Sequence, residues 1–382
     1  MASCLHCRPS LRERCASFAE RKAIIGHSHV VLKLLLLLLA GLFLAMPLDA
    51  DAQSNSKRRS SEDLAKLVTP ESQKTIDLGL AHLAARQFED GSFGVEGSYG
   101  HNVGVTALGG MAFLSSGSTP GRGKYGKHVE RALNFIMNSA QPSGYINIRD
   151  SESHGPMYGH GFATLFLAEV YGMSRTRKDV RETLRRAVKL IVSTQNKDGG
   201  WRYNPVPRNA DVSVTVCQIM ALRAARNCGI FVPKEVADKC IDYVKRCQNT
   251  DGGFRYRLDS RPESAFPRSA AGVVALYSAG VYEGREIERG LAYLAAHVRN
   301  GSVFRYHYGN NYFYGHYYGV QAMWQARGRY WRKWYPLIRD ELIRRQNSKG
   351  YWQDATICDE YATAMALIIL QMPNSYLPIF DR

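Results

Sequence analysis

Six polar residues recur along the chain at intervals of about fifty residues, each beside an apolar segment. They are His101, His160, Asp211, Arg268, His316 and Asp359. Imidazole and carboxyl groups exchange protons near neutral pH when their surroundings shift their pKa values, which makes His160, Asp211 and Asp359 candidate acid–base catalysts. The other three, His101, Arg268 and His316, are candidate ligand-binding residues.

Each of three histidines follows a tyrosine and a glycine. The pattern occurs as Tyr99-Gly100-His101, Tyr158-Gly159-His160 and Tyr314-Gly315-His316. We expect these tyrosines to contact the same ligand. Aromatic residues are densest near the third copy: Tyr306, Tyr308, Tyr312, Phe313, Tyr314, Tyr317 and Tyr318. They fit ordinary packing, and they also fit a wall that holds an isoprenoid or stacks on a sugar.

The six recurring polar residues, which we call the polar column, have structural explanations as well. An aspartate immediately before a helix commonly caps it, so Asp211 and Asp359 also fit N-caps. Histidine is not a preferred cap, which favours a pocket for the remaining members. Within a pocket, His101 and His160 together with Asp211 are suitable metal ligands, so metal content stays open. No organic cofactor is predicted.

A repeated motif marks the elements that must position these residues. Its clearest copies span residues 195–201 (QNKDGGW), 248–254 (QNTDGGF) and 87–93 (QFEDGSF). Weaker copies lie at 345–352, 140–145 and 297–302. Glycine permits the left-handed backbone that often ends a helix. We predict that the glutamine bonds to the backbone of a neighbouring repeat, while the aromatic residue packs between repeats.

Each copy of the motif separates two helices of different character. Before it, apolar residues recur at helical spacing on one face, as in Val180, Leu184, Ala187, Val188, Ile191 and Val192. After it, the helix is apolar on most sides and is therefore expected to be buried. The predicted inner helices begin at Val105, Phe162, Val212, Ala270, Tyr317 and Tyr361. Six such pairs predict an all-α fold, an α/α toroid (α6/α6 barrel), whose closure would gather the six polar residues at one end.

These motif copies resemble the QW-type repeats of the prenyltransferase and squalene-cyclase superfamily, over residues 71–372. The resemblance implies an α/α toroid with its ligand in the barrel mouth, at one end of the inner helices. It also implies a ligand of the apolar, isoprenoid type. If the protein is an enzyme, the resemblance implies a terpene-cyclase-like isomerase or transferase.

The acid motif of class II cyclases, D-x-D-D, is incomplete in this chain. Asp211 fills its first position, but Ser213 and Val214 stand where the resemblance places the other two carboxylates. Protonating an alkene requires an unusually strong acid, which neighbouring carboxylates help to create. Whether the chain catalyses a reaction therefore stays open.

The N-terminal residues follow a different pattern. The basic residues Arg8, Arg12, Arg14, Arg21 and Lys22 precede an apolar run over 34–46, and Ala50-Asp51-Ala52 matches an A-x-A cleavage site. This order predicts an export signal over 1–52, a flexible linker over 53–70 and the toroid over 71–382. We expect a periplasmic or extracellular protein; an uncleaved N-terminal anchor is the alternative.

Composition narrows the range of partners. The formal net charge is +16, spread over helix-like segments, which fits solvated outer faces and also association with an anionic membrane surface. No nucleic-acid-binding motif is present, so we expect no nucleic-acid partner. Five cysteines follow residue 52, an odd number that suggests buried thiols. The predicted function is binding of an apolar isoprenoid-type molecule; a non-catalytic scaffold in the cell envelope and a polysaccharide-acting toroid are the alternatives.

Overall fold

The computed structural model describes residues 67–95, 99–148, 155–174, 176–299, 302–303 and 311–381. The predicted export signal and residues 53–66 of the predicted linker lie outside these ranges, so both remain predictions. None of the helices in the described ranges combines the length and the apolar character that a membrane span requires.

The described residues form twelve α-helices in two layers. The outer helices are α1 (Pro70–Ala85), α3 (Gly126–Asn138), α5 (Lys178–Ser193), α7 (Lys234–Arg246), α9 (Arg285–Ala296) and α11 (Gly328–Arg345). The inner helices are α2 (Val103–Leu114), α4 (Pro156–Met173), α6 (Val212–Asn227), α8 (Phe266–Ala279), α10 (Tyr312–Ala326) and α12 (Asp359–Leu370). Two short antiparallel strands, β1 (Val298–Arg299) and β2 (Ser302–Val303), occupy the motif position of the fifth repeat. Two short 3₁₀ helices follow α12, Met372–Asn374 and Pro378–Phe380.

The inner helices close into a ring. Each packs against the next along the chain, and α12 packs against α2. In the outer layer, α11 packs against α1. The predicted all-α fold, an α/α toroid of six helix pairs, is confirmed.

The hydrophobic pattern explains which helices lie inside. In α5 the buried residues fall on one face, from Val180 to Ile191, while the opposite face is charged. Every residue of α2 is buried. Burial of apolar surface therefore drives α2 and its equivalents to the centre of the molecule, wrapped by amphipathic helices.

Glutamine side chains join successive repeats. Each glutamine of the motif donates from Nε2 to two backbone carbonyls, one in its own motif and one near the start of the next outer helix, at 2.8 to 3.1 Å. The pairs of acceptors are Gly91 and His128 for Gln87, Gly199 and Val236 for Gln195, Gly252 and Glu286 for Gln248, and Gly350 and Thr75 for Gln346. The last pair joins the end of the chain to α1. The predicted role of the glutamine is confirmed.

A glycine in each motif allows this close approach. Gly199 has a φ of 100°, and an added Cβ would lie 2.1 Å from the carbonyl oxygen of Lys239 on α7. Equivalent approaches occur at Gly91, Gly144 and Gly252. Both the left-handed backbone and the missing side chain are therefore required at this seam.

The motif also attaches each outer unit to its inner helix. The backbone N–H of the motif aromatic residue donates to a hydroxyl on the following inner helix, at 2.9 to 3.2 Å. The pairs are Phe93 with Thr106, Trp201 with Thr215, Phe254 with Ser269, and Trp352 with Thr363. The four aromatic side chains are themselves buried.

Five inner helices begin earlier than the apolar pattern predicted, α2 and α12 by two residues and three others by four to six. Helix α4 begins at Pro156 instead of Phe162, α8 at Phe266 instead of Ala270, and α10 at Tyr312 instead of Tyr317. Proline stands in the first turn of α4 and of α8, where its missing N–H costs nothing. These first turns carry polar and aromatic residues, which interrupt the apolar run that marks the rest of each helix.

Replacing Gly199 with alanine should destabilise the toroid much more than replacing Gly229. Both glycines have a φ near 90–100°, but a Cβ at Gly229 would meet nothing within 4 Å. Left-handed backbone costs an alanine roughly 1–2 kcal/mol at either site. The steric clash at the seam should add about 1–3 kcal/mol to the loss in Gly199→Ala. Urea unfolding measures both variants, and equal losses would contradict the packing described at the seam.

Candidate functional site

A cavity of about 550 Å³ lies at the N-terminal ends of the inner helices. One residue from near the start of every inner helix lines it: Gly104, Tyr158, Ser213, Pro267, Tyr314 and Tyr361. Each of the six stands two residues before a common position of its helix, the position that Thr106, Thr215, Ser269 and Thr363 fill with hydroxyls. The cavity is therefore built by all six repeats together.

One turn deeper, the lining becomes apolar. Leu108, Phe162 and Met365 line the cavity at this level. On α6 and α10 the same level holds Cys217 and Tyr318, both buried, with the Cys217 Sγ 3.1 Å from the Tyr318 hydroxyl oxygen. Burial raises the pKa of Cys217 to about 12, so it is a neutral thiol.

Aromatic rings form most of the upper wall. They are Tyr99, Tyr158, Tyr203, Tyr256, Tyr314 and Tyr361. The hydroxyl of Tyr314 donates to the carbonyl oxygen of Ser213 at 3.1 Å, which fixes that ring across the barrel. The three tyrosines selected from the Tyr-Gly-His pattern are all part of this wall.

Polar groups are few in the lining. The described lining residues include Arg268 and three asparagines, Asn102, Asn147 and Asn311, but no carboxyl group. Arg268 donates from Nε to the carbonyl of Phe254 at 3.1 Å and from Nη2 to the carbonyl of Glu263 at 2.6 Å. Its positive charge faces the cavity without an ion pair among the described residues.

His160 lies at a seam instead of the cavity. It is completely buried, and its Nδ1 accepts a hydrogen bond from the backbone N–H of Ile146 at 3.2 Å. That is the bond that a threonine or serine accepts in four other repeats. His160 is thus the counterpart of Thr106 and Thr215, and its neighbour Tyr158 is the cavity residue.

The other two histidines also have partners away from the cavity. His316 is buried against aromatic rings, with centroids 4.5 Å from Tyr312 and 5.4 Å from Phe266. His101 is half-exposed, and its Nδ1 lies 2.8 Å from Asp90 Oδ2 and 2.8 Å from Ser92 Oγ. Neither histidine lines the cavity.

Of the two aspartates, Asp211 is the closer to the cavity. It caps α6, because its Oδ1 accepts from the backbone N–H of Val214 at 2.8 Å. Its Oδ2 accepts from the hydroxyl of Tyr256 at 3.4 Å, and Tyr256 is a lining residue. Burial raises the pKa of Asp211 to about 6. Asp359 is the first residue of α12, and Cys358 takes the cap position before it. The Oδ1 of Asp359 accepts a hydrogen bond from the backbone N–H of Asp354 at 3.1 Å.

The six polar residues therefore do not form one ring. Arg268 is the one member of that column that lines the cavity. The motif aromatic residue and its hydrogen-bonded partner on the inner helix are separated by 11 to 15 residues, depending on the repeat. This variation in loop length shifted the alignment made from sequence by several residues in some repeats.

Metal ligation finds no support in the described ranges. There, no three His, Cys, Asp or Glu side chains come together as ligands of a metal ion. Cys217, Cys228, Cys240, Cys247 and Cys358 are buried free thiols, as predicted.

Comparison with known proteins agrees with this architecture. Residues 177–300 match the family model described as the prenyltransferase alpha-alpha toroid domain. Over these residues the chain is similar to prenyltransferase-type α/α toroids. A drimenyl diphosphate synthase from Streptomyces showdoensis is 27% identical over 142 residues, which are 37% of this chain and 25% of that protein. The chain thus spans about a quarter of the length of this curated relative.

Solved structures share the fold at low sequence identity. The type II terpene cyclase MstE from Scytonema, in complex with geranylgeranyl dihydroxybenzoate, superposes with a TM-score of 0.57 at 14% identity. The match covers 81% of this chain and 98% of that one. An alpha-1,6-mannanase of Salegentibacter, in complex with alpha-1,6-mannotriose, gives 0.58 at 10% identity, covering 80% and 99%. These similarities establish the toroid and leave its ligand open.

Several lining residues were not identified from the sequence. Tyr203 and Tyr256 each stand two residues after a motif aromatic residue, and Tyr361 stands two residues before Thr363. The sequence signal for these tyrosines is therefore their position, two residues after the motif aromatic residue or two residues before the hydroxyl residue of the inner helix.

Replacing His160 with threonine should change how stability depends on pH. Burial lowers the pKa of His160 from 6.5 to about 4, so the unfolded chain binds a proton between these values that the folded chain does not. Its contribution to stability is complete above pH 6.5 and falls as pH drops to 4, by up to about 3 kcal/mol. Wild-type protein should lose that much more than His160→Thr between pH 7 and pH 4 in urea unfolding. Parallel profiles would contradict a buried neutral imidazole.

Proposed function

We propose that this toroid binds an apolar, isoprenoid-type ligand in the cavity at the barrel mouth. The observation that carries the proposal is the composition of that cavity, an aromatic wall above an aliphatic and aromatic floor, closed by all six repeats. Apolar ligands gain binding free energy from leaving water for such a surface, and aromatic rings suit the flat, branched units of an isoprenoid chain. The volume of about 550 Å³ lies within the range of small-molecule sites.

The related proteins support this choice of ligand class. The terpene cyclase MstE is described in complex with a geranylgeranyl-bearing substrate, and the curated relative is named for the diphosphate of a drimenyl group. We therefore propose an isoprenoid-type ligand for this chain, but not the dihydroxybenzoate or diphosphate group of those compounds.

We propose binding without proton-initiated cyclisation. Ser213 lines the cavity at the third position of the D-x-D-D motif, where the resemblance places a carboxylate. A serine hydroxyl is too weak an acid to protonate an alkene. Asp211, Asp359 and His160 are not lining residues. Any effect of these three residues on a bound ligand would have to pass through a neighbouring residue that does line the cavity.

A glycan is the second candidate, favoured by the polar part of the lining. Asn102, Asn147, Asn311 and Arg268 offer hydrogen bonds beside tyrosine faces, a combination that binds sugars. The mannanase of the same fold, described with mannotriose, supports it. Binding assays with mannotriose and with farnesol, a fifteen-carbon isoprenoid alcohol, separate the two candidates.

We also propose that residues 1–52 direct export, so that the toroid acts outside the cytoplasm. The basic, apolar and small-residue order of that segment supports the proposal. The positive charge of the remaining chain would favour contact with anionic membrane surfaces, from which an isoprenoid could be collected.

Filling the cavity should abolish ligand binding while leaving the fold intact. In Ser213→Phe, a phenyl ring should occupy space beside Tyr314, so we expect the affinity for tritiated farnesol to fall at least about tenfold. Ser193→Phe, on the exposed end of α5, is the matched control and should bind like wild type. Near-ultraviolet circular dichroism checks that both variants fold. Wild-type affinity in folded Ser213→Phe would argue against this cavity as the site.

A further inference from the structure

A chain of hydrogen bonds connects a buried carboxyl group to the cavity wall. The hydroxyls of Tyr203 and Tyr256 bond to each other, and Tyr256 in turn donates to Asp211 Oδ2. Asp211 is completely buried, whereas both tyrosines line the cavity. The carboxyl group therefore acts on the cavity only through these two hydroxyls.

The two rings are held rigidly by the repeat architecture. The backbone carbonyl of Tyr203 accepts from the N–H of Met157 in the first turn of α4, at 3.0 Å. The carbonyl of Tyr256 accepts from the N–H of Val212 in the first turn of α6, at 3.1 Å. The guanidinium of Arg202 lies over both rings, 4.9 and 5.8 Å from their centroids. Neither hydroxyl needs to be ordered when a ligand arrives, which lowers the entropic cost of binding.

The direction of the chain follows from the chemistry of its buried end. An ionised carboxylate only accepts hydrogen bonds, so the Tyr256 proton is directed to Asp211 Oδ2. The oxygen of Tyr256 is then the acceptor for the Tyr203 proton. Both tyrosine protons are thus used within the chain, and the Tyr203 oxygen presents a free lone pair toward the cavity.

We propose that Tyr203, oriented by Tyr256 and Asp211, accepts a hydrogen bond from the hydroxyl group of an isoprenoid alcohol. The inference rests on the proposed function and specifies the polar end of the ligand. A hydrocarbon, an ether or a fully ionised phosphate has no proton to offer this acceptor. An alcohol has one, and the rest of the cavity accommodates its apolar chain.

Farnesol and farnesyl methyl ether test this directly, because they share one carbon chain and the ether lacks the donor. At pH 8, where Asp211 is ionised, wild-type protein should bind farnesol about tenfold more tightly than the ether, the effect of one well-formed hydrogen bond. Competition against tritiated farnesol gives both dissociation constants. Tyr203→Phe keeps the ring but removes the acceptor, and should reduce the ratio to about one.

Asp211→Asn distinguishes orientation of the chain from structural support. Asparagine is an equally good N-cap, so its Oδ1 can keep the bond from Val214 and preserve α6. Its amide N–H₂ would then face the Tyr256 oxygen and reverse the chain, so that Tyr203 donates into the cavity. An alcohol and an ether both accept, and the ratio should again fall to about one in a folded protein. Tyr376→Phe, an exposed tyrosine outside the cavity, should leave the ratio at about ten.

Three outcomes would overturn the inference. If wild-type protein binds the ether as tightly as farnesol, the inference fails while the proposed function stands. If neither molecule binds, the proposed function fails with it. If farnesyl phosphate binds more than tenfold more tightly than farnesol, and Arg268→Gln removes that advantage, then the polar end is an anion held by Arg268.

Discussion

The toroid depends on a glutamine side chain that donates hydrogen bonds to two backbone carbonyls at once. The glutamine of each clear motif copy ties its own glycine carbonyl to a carbonyl of the next outer helix, and Gln346 makes the same connection across the chain ends. One acceptor lies in the turn of the motif itself, and the other lies near the start of the next outer helix, where it takes a second donor beside its helical one. The glutamine therefore bridges two repeats and fixes the angle between them. Without a constant angle, six repeats would not return to their starting point.

Closure has a direct effect on the cavity. Its lining comes from positions as far apart in sequence as Gly104 and Tyr361, which meet only because α12 returns to α2. A cavity of this kind has no local sequence signature. Its chemistry is decided by one side chain per repeat, set by the geometry of the seams. Ser213, a small residue in that set, lines the cavity within the first turn of α6.

The sequence predicted the fold better than the site, for physical reasons. Amphipathic periodicity, glycines in the motif and the count of repeats are strong signals, and they led to the correct layers and to the glutamine contacts. To predict the site, one must know to within one residue which positions of each inner helix face the cavity. On α4, for example, Tyr158 faces the cavity, whereas His160 faces a seam. Loops of different length precede these helices, so a histidine at a seam was aligned with an aspartate at a cap. Tyr99, Tyr158 and Tyr314 were selected correctly as cavity residues, because clustered aromatic residues indicate the mouth of the barrel even when the alignment is imperfect.

Cavity residues and seam residues alternate on each inner helix, two positions apart. Ser213 faces the cavity, whereas Thr215 holds the motif through the N–H of Trp201. A substitution at the first position alters the shape and polarity of the chamber, while the bonds that hold the ring together are left untouched. The residue that lines the cavity and the residue that holds the motif are thus two different positions of the same helix turn. The shape of the chamber can therefore vary at a position such as Ser213 while the hydrogen bond made by Thr215 stays in place.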